Sequence, residues 1–372
     1  MKKLFLLLAA VLTLAGCDNK KSADELFKET ASGVVVVLNE YYYELELPNG
    51  NSLYFTGLDD EGDINGLTGD LEEIKKNRNM ITGTAFFIDN EGTLMTNRHV
   101  AQPDIDAVTA RRSMINFMKV LKSYLSEAMS TLSDQFDALE AQKSSCSYFD
   151  YYGFLRVDQE KLAEINSQQM ELSKQFQELQ QTREGIDENI DPEGIKITTV
   201  CELGIAYNNT YVTNDDDFIG KNPCVVVRTS DKENVDLALL QLKTKKTPEG
   251  THIFTLRGEG KDGNFMSNLF SGSGGDESLK IDQQLYMIGY NAGLVLANTK
   301  QGIKVQMTSG KVTQLPDGQR LLYSIPTLQG SSGSPVIDEY GNLVAVNFAK
   351  LSGTDNFNFG IPEESIKEFM KK

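Results

Sequence analysis

Basic residues are in short supply. The 372-residue chain has 36 Lys and Arg against 53 Asp and Glu, a formal charge of −17, with no local basic cluster. Nucleic-acid binding rests on neutralising phosphates, so no nucleic-acid partner is expected. Histidine is scarcer still, with only His99 and His252. A lone histidine is usually structural, so neither implies chemistry without partners. No metal site and no cofactor are expected. Proline is also sparse: nine against 31 glycines, a balance that suits a turn-rich β protein. Of four cysteines, one lies in the N-terminal segment, leaving Cys146, Cys201 and Cys224 for the body of the chain.

The N-terminus reads MKKLFLLLAAVLTLAGC. Two lysines precede an apolar run of about a dozen residues, too short to span a membrane stably and built like a secretory signal. Its LAGC ending (Leu14, Ala15, Gly16, Cys17) resembles the bacterial lipobox. That resemblance implies a signal peptide over 1–16, lipidation of Cys17, a polar tether over 17–32, and a mature protein hung from a bacterial membrane by acyl chains. Export places the cysteines in an oxidising compartment. Cys201 and Cys224 flank a segment that reads as a β-hairpin and are the expected disulfide; Cys146 is then odd.

From residue 33, GVVVVLNEYYYELEL has the β-branched and aromatic content of strands, and ITGTAFFIDNEGTLMTNRHVA (81–101) reads as strand, turn, strand and a short apolar stretch. Residues 48–80 are polar and turn-rich. Between 104 and 190 the pattern changes. Met114, Met118, Leu121, Leu125, Ala128, Leu132 and Leu139 fall at four- and three-residue steps, broken at Gln135. Leu162, Ile165, Leu172, Phe176 and Leu179 repeat the pattern, broken at Gln169. This predicts an antiparallel helical coiled-coil hairpin with arms about 40 Å long, open to self-association or a protein partner. Strand signals resume at 197–243 and again after a long loop at 258–280. The ending GIPEESIKEFMKK predicts a capped C-terminal helix. Glu61, Asp63, Asn65, Gly66 and Glu72 lie near calcium-loop spacing, but glutamate stands at the first position, and the stretch reads as an acidic turn.

Chemistry enters through GSSGSP (330–335). A serine hydroxyl attacks only with a base within reach, and the base needs an acid to fix its tautomer. The oxyanion needs backbone N–H donors, which a glycine before the nucleophile can turn inward. His99 in TNRHVA could be the base. Asp236, at the head of the apolar run LALL, could be the acid, because a buried carboxylate requires a partner. The alternative for Asp236 is a solvated turn before a strand.

These blocks, GTAFFIDNEGTLMTNRHVA, NVDLALLQLK and GSSGSPVIDEYGNLVAVNFA, resemble in order the three signatures of trypsin/chymotrypsin-like serine proteases, and the bacterial HtrA-like branch most. The resemblance implies two six-stranded antiparallel β-barrels within 33–372, interrupted by the 104–190 hairpin. It implies His99 as general base, Asp236 as its orienting acid, Ser332 as nucleophile, and the N–H groups of Gly330 and Ser332 as oxyanion hole. It implies protein or peptide substrates. Three departures stand out. Ser331 replaces the aspartate that binds the freed N-terminus in mammalian trypsins, so no zymogen cleavage of that kind is expected. The 137-residue interval from His99 to Asp236 is long, and the hairpin accounts for it. The PDZ domains usual in the HtrA-like branch do not follow, so PDZ regulation is not expected within this chain. The primary pocket falls near 326–329 and 347–350 with no acid at its base, favouring a small or aliphatic P1 residue. The rival reading is a catalytically silent protease-fold adaptor acting through its hairpin.

Overall fold

The structure, a computed structural model, describes residues 20–257, 278–350 and 358–371. The signal segment, Cys17 and most of the 258–280 loop lie outside the described residues. The chain divides into two compact units, one of residues 20–42, 77–104 and 199–371 and the other of 43–76 and 105–198.

The first unit contains two closed antiparallel barrels of six strands each, as the fold expectation stated. The first barrel has strands β1 (Val34–Glu46), β2 (Asn79–Phe87), β3 (Thr93–Thr96), β4 (Lys196–Tyr207), β5 (Pro223–Thr229) and β6 (Ala238–Leu242). The second has β7 (Gln284–Gly289), β8 (Gln306–Gln314), β9 (Leu321–Tyr323), β10 (Pro335–Ile337), β11 (Leu343–Lys350) and β12 (Asn358–Pro362). Spatial order is β1-β2-β3-β6-β5-β4, closing onto β1, and β7-β8-β9-β12-β11-β10, closing onto β7. The two barrels therefore share one topology.

The unbroken run VVVVL in β1 follows from burial on both faces. Val35 and Val37 point into the first barrel beside Phe87, Leu94 and Leu240. Val34, Val36 and Leu38 join a second cluster with Phe86, Phe254, Tyr290 and Ile337 between the barrels. A strand wet on one face would alternate; one buried on both does not. The second barrel fills with Leu285, Met287, Tyr323, Val336 and Val344. Helix α1 (Ala23–Thr30) begins in a capping box between Ser22 and Glu25 and buries Leu26. The C-terminal helix, Glu363–Lys371, buries Ile366, Phe369 and Met370.

The second unit is the helical hairpin with a small β element. Helix α2 is the short turn Arg98–Ala101 of the first unit; α3 (Ala107–Lys143) and α4 (Gln159–Glu184) are the hairpin arms. Their pairing is antiparallel, with Arg183 donating to Ser126 Oγ at 2.7 Å and Gln169 to Glu140 at 3.0 Å. The arms are unequal, 37 and 26 residues, about 55 and 39 Å. The breaks differ from expectation. Phe136 takes the seam where Gln135 was expected to interrupt it, and Gln135 faces out. Gln169 stays in the seam, 5% exposed, because its amide finds Phe136 O and Glu140. The connection at the tip pairs Ser147–Phe149 with Leu155–Val157 and leaves Phe149, Tyr151 and Tyr152 73%, 97% and 80% exposed. Residues 61–72 include half of a two-stranded ladder, Ile64–Asn65 on Gly57–Leu58, and the start of a helix, Leu71–Lys76. Among the described residues no helix is long and apolar enough to cross a membrane.

Candidate active site

Strand register brings His99 and Asp236 together. β3 and β6 pair with Thr96 opposite Ala238. Carrying that register two residues on places Asp236, just before β6, level with Arg98, just after β3. The backbones lock there: the Arg98 N–H and the Asn97 side-chain amide both donate to Asp236 O, at 3.3 and 2.8 Å. Asp236 is not a solvated turn residue; its side chain is 13% exposed, between buried Val235 and Leu237.

The His99 backbone N–H donates to Asp236 Oδ1 at 2.9 Å, and ring Nδ1 lies 2.5 Å from Oδ2. A carboxylate accepts only, so in the neutral ring Nδ1 carries the proton and Nε2 is left as the acceptor. The α2 turn that carries the ring is capped from β1. Asn39, fully buried, donates through Nδ2 to Val100 O and Ala101 O at 2.8 and 3.1 Å. With so few residues, α2 depends on such tertiary caps.

Ser332 sits in a turn between β9 and β10. Gly330 has φ +95° and Gly333 φ +85°, in the left-handed region. An added Cβ at Gly333 would lie 2.1 Å from Thr84 O and 3.2 Å from Asn97 N, so the turn is seated against the segment leading into His99. Thr84 on β2 secures it from below: its N–H donates to Ser332 O at 2.8 Å and its hydroxyl to Gly330 O at 2.9 Å. Ser331 N–H and Oγ both donate to Leu328 O. The N–H groups of Gly330 and Ser332 have no acceptor among the described residues, which leaves both donors available. Among the same residues no hydrogen bond joins Ser332 Oγ to His99. Such contacts commonly close only once substrate is bound.

The structure thus brings together His99, Asp236 and the Ser332 turn and leaves His252 apart. The His252 ring stands edge-on to Phe254, centroids 4.7 Å apart, and burial pushes its pKa down to about 4, opposed by nearby Glu29 and reinforced by Lys21. A free histidine titrates near 6.5, so the unfolded chain binds this proton first. Its neutral burial is fully tolerated above pH 6.5 and opposes folding progressively as pH falls from 6.5 to 4. Denaturant titrations of wild type and His252→Phe should show on the order of 2 kcal/mol less acid loss in the variant across that window. Equal losses would show that His252 does not carry the effect.

Cys201 and Cys224 do not form the expected disulfide; both are free, as is Cys146. The β4–β5 register sets Cys224 opposite Leu203, one diagonal step from Cys201. Diagonal neighbours lie about 7–8 Å apart, beyond the roughly 4.4–6.8 Å between Cα atoms that a disulfide spans. Near the expected primary pocket, Thr327 Oγ1 donates to Asn358 Oδ1 at 2.9 Å, both residues buried and neutral. No group of three or more His, Cys, Asp or Glu side chains converges on a metal position among the described residues.

Sequence reasoning passed over Asn39, Thr84, Tyr323 and Asn347. The two asparagines carried a readable signal, each a lone amide in an apolar strand run, VVVVLNE and LVAVNFA. A buried amide must find partners, and here the partners are the two elements that carry His99 and Ser332.

The family model for the trypsin-like peptidase domain matches residues 206–346. No curated protein matches the chain. Among solved structures, the serine endoprotease from Yersinia pestis is similar, at 11% identity and a TM-score of 0.42, over 94% of this chain and 66% of that one. The chain therefore spans just under two thirds of the length of that protein.

Proposed function

We propose that this chain is a serine endopeptidase. His99 takes the Ser332 proton through Nε2 as Ser332 Oγ attacks the scissile carbonyl, then gives it to the leaving amine. Asp236 keeps Nδ1 protonated and stabilises the imidazolium. The N–H groups of Gly330 and Ser332 receive the oxyanion, and water releases the acyl-enzyme by the same steps. The observation that carries this reading is the doubly bonded His99–Asp236 pair beside a turn with two unclaimed N–H donors. The trypsin-like peptidase match over 206–346 supports protein substrates.

The finer reading rests on the sequence blocks. Likeness to the HtrA-like branch suggests cell-envelope proteins as substrates. The lipobox at Cys17 suggests a chain tethered by acyl groups at a periplasmic or cell-surface face. The neutral Thr327–Asn358 pair is consistent with a small or aliphatic P1 residue.

The test is covalent labelling of the mature soluble chain, residues 18–372, by a fluorophosphonate. Wild type is expected to label, and Ser332→Ala and His99→Ala to lose labelling while unfolding as cooperatively as wild type. A folded wild type that does not label would overturn the enzymatic reading. The second reading, an adaptor, is favoured by one observation: the aromatic tip of the hairpin, with Phe149, Tyr151 and Tyr152 exposed. It would take over on that outcome.

A further inference from the structure

One buried side chain has more bonds to the Ser332 turn than packing requires. Asn347 lies on β11 at 2% exposure. Its backbone N–H donates to Ser334 O, and its carbonyl accepts from Gly333 N–H, both at 2.9 Å. Its side-chain amide Nδ2 donates to Ser331 O at 2.9 Å and to Ser331 Oγ at 3.2 Å. Its Oδ1 accepts from the hydroxyl of fully buried Tyr323 at 2.7 Å. The residue thus grips the chain on both sides of Ser332 without touching the serine itself.

The direction of these bonds matters. In a trans peptide the C=O and the following N–H point opposite ways. The Ser331 carbonyl is held by two donors, Asn347 Nδ2 and Ser334 N–H at 3.1 Å. The N–H on the far side of that peptide belongs to Ser332. Fixing the carbonyl on Asn347 therefore fixes the Ser332 N–H facing away from β11. Tyr323 determines which way round the amide sits, because its hydroxyl donates to Oδ1 and so turns the NH2 toward Ser331.

We propose that Asn347, oriented by Tyr323, is a positioning residue that holds the Ser331–Ser332 peptide so that the Ser332 N–H serves the oxyanion hole. This rests on the endopeptidase reading above. The clamp is neutral and internal, made entirely within the folded chain. It stands where an ion pair to Ser331 is impossible, since Ser331 has no charge to offer. The Ser332 half of the hole is accordingly set as soon as the second barrel closes.

The experiment compares wild type, Asn347→Leu and Tyr323→Phe by two readouts. The first is hydrolysis of a chromogenic peptide, with the fluorophosphonate rate alongside. Asn347→Leu keeps size and backbone bonds but loses the amide. It is expected to lower kcat and the phosphonylation rate about 10²–10³-fold, the cost of one oxyanion donor, with KM within about threefold. Tyr323→Phe, the gentler change, is expected to lower kcat about tenfold. The second readout needs no catalysis. Amide hydrogen exchange at Ser331, Gly333 and Ser334 is expected to speed up at least about tenfold in Asn347→Leu while exchange in β1 and β7 stays as in wild type.

Unchanged kcat in folded Asn347→Leu, or unchanged exchange in the turn, would overturn the clamp. If that variant does not fold, Tyr323→Phe decides by the same criteria. A wild type that does not react with fluorophosphonate sinks the endopeptidase reading alone, and the exchange readout still tests the clamp.

Discussion

Asp236→Asn is expected to lower kcat about 10⁴-fold, with little change in KM and an intact fold. The reason lies in two hydrogen bonds. The His99 backbone N–H needs an acceptor and takes Asp236 Oδ1 at 2.9 Å. In the variant the amide oxygen must meet that N–H, so the NH2 faces ring Nδ1. A donor facing Nδ1 forces the ring proton onto Nε2, and an Nε2 that already bears a proton cannot accept one from Ser332. No charge is left buried and the shape is conserved, so cooperative unfolding should persist. Steady-state hydrolysis of a peptide substrate checks this, and a loss smaller than tenfold would mean that the ring is oriented by something other than Asp236.

Gly330→Ala is expected to lower kcat about 10²–10³-fold by turning away the other N–H proposed for the oxyanion hole. The residue has φ +95°, and an added Cβ would fall 2.4 Å from Gly293 N and 2.6 Å from its Cα. Those neighbours are backbone and cannot swing aside, so the turn itself must shift. Gly318→Ala is the matched comparison. It has φ +87° with nothing within 4 Å of the added carbon. It should cost about 1–2 kcal/mol of stability and leave kcat unchanged. Equal kcat for the two variants would show that the turn accommodates a side chain and that the aim of the Gly330 N–H is not critical.

Much of the site was legible because its residues announce themselves locally. Asp236 opens an apolar run, His99 follows a strand, and Ser332 sits among glycines; each is odd enough in its own few residues to be picked out. The residues that position them were legible only in part: the lone amides of Asn39 and Asn347 stand out in apolar runs, but what they and Thr84 hold lies across the sheet, and register is a property of strand pairs. The disulfide expectation failed on the same ground. Cys201 and Cys224 are neighbours on one barrel wall, yet the register sets Leu203, not Cys201, opposite Cys224. In the hairpin, spacing found the arms, but a one-residue shift at Phe136 and a satisfied amide at Gln169 were hidden, since both depend on what the facing helix offers. The association of 43–76 with 105–198 in one unit was equally invisible, for nothing in either stretch names the other.

The contact at the base of the excursion has a kinetic consequence. Thr199 Oγ1 donates to Pro103 O at 3.0 Å, so the chain leaves the first barrel and returns to it through nearly the same point. Pairing β3 with β6, Met95 opposite Leu239, closes a ring of well over a hundred residues if the chain between them is a coil. Helical hairpins form from local contacts in microseconds to milliseconds, far ahead of non-local strand pairing. Once the arms have zipped, the two ends are already neighbours and the effective ring is short. The entropy of closure, which grows by about 0.6 kcal/mol with each doubling of a flexible loop, then ceases to depend on how long the arms are. Lengthening or trimming the arms in register should therefore leave the refolding rate of the barrel nearly unchanged, whereas melting them should slow it.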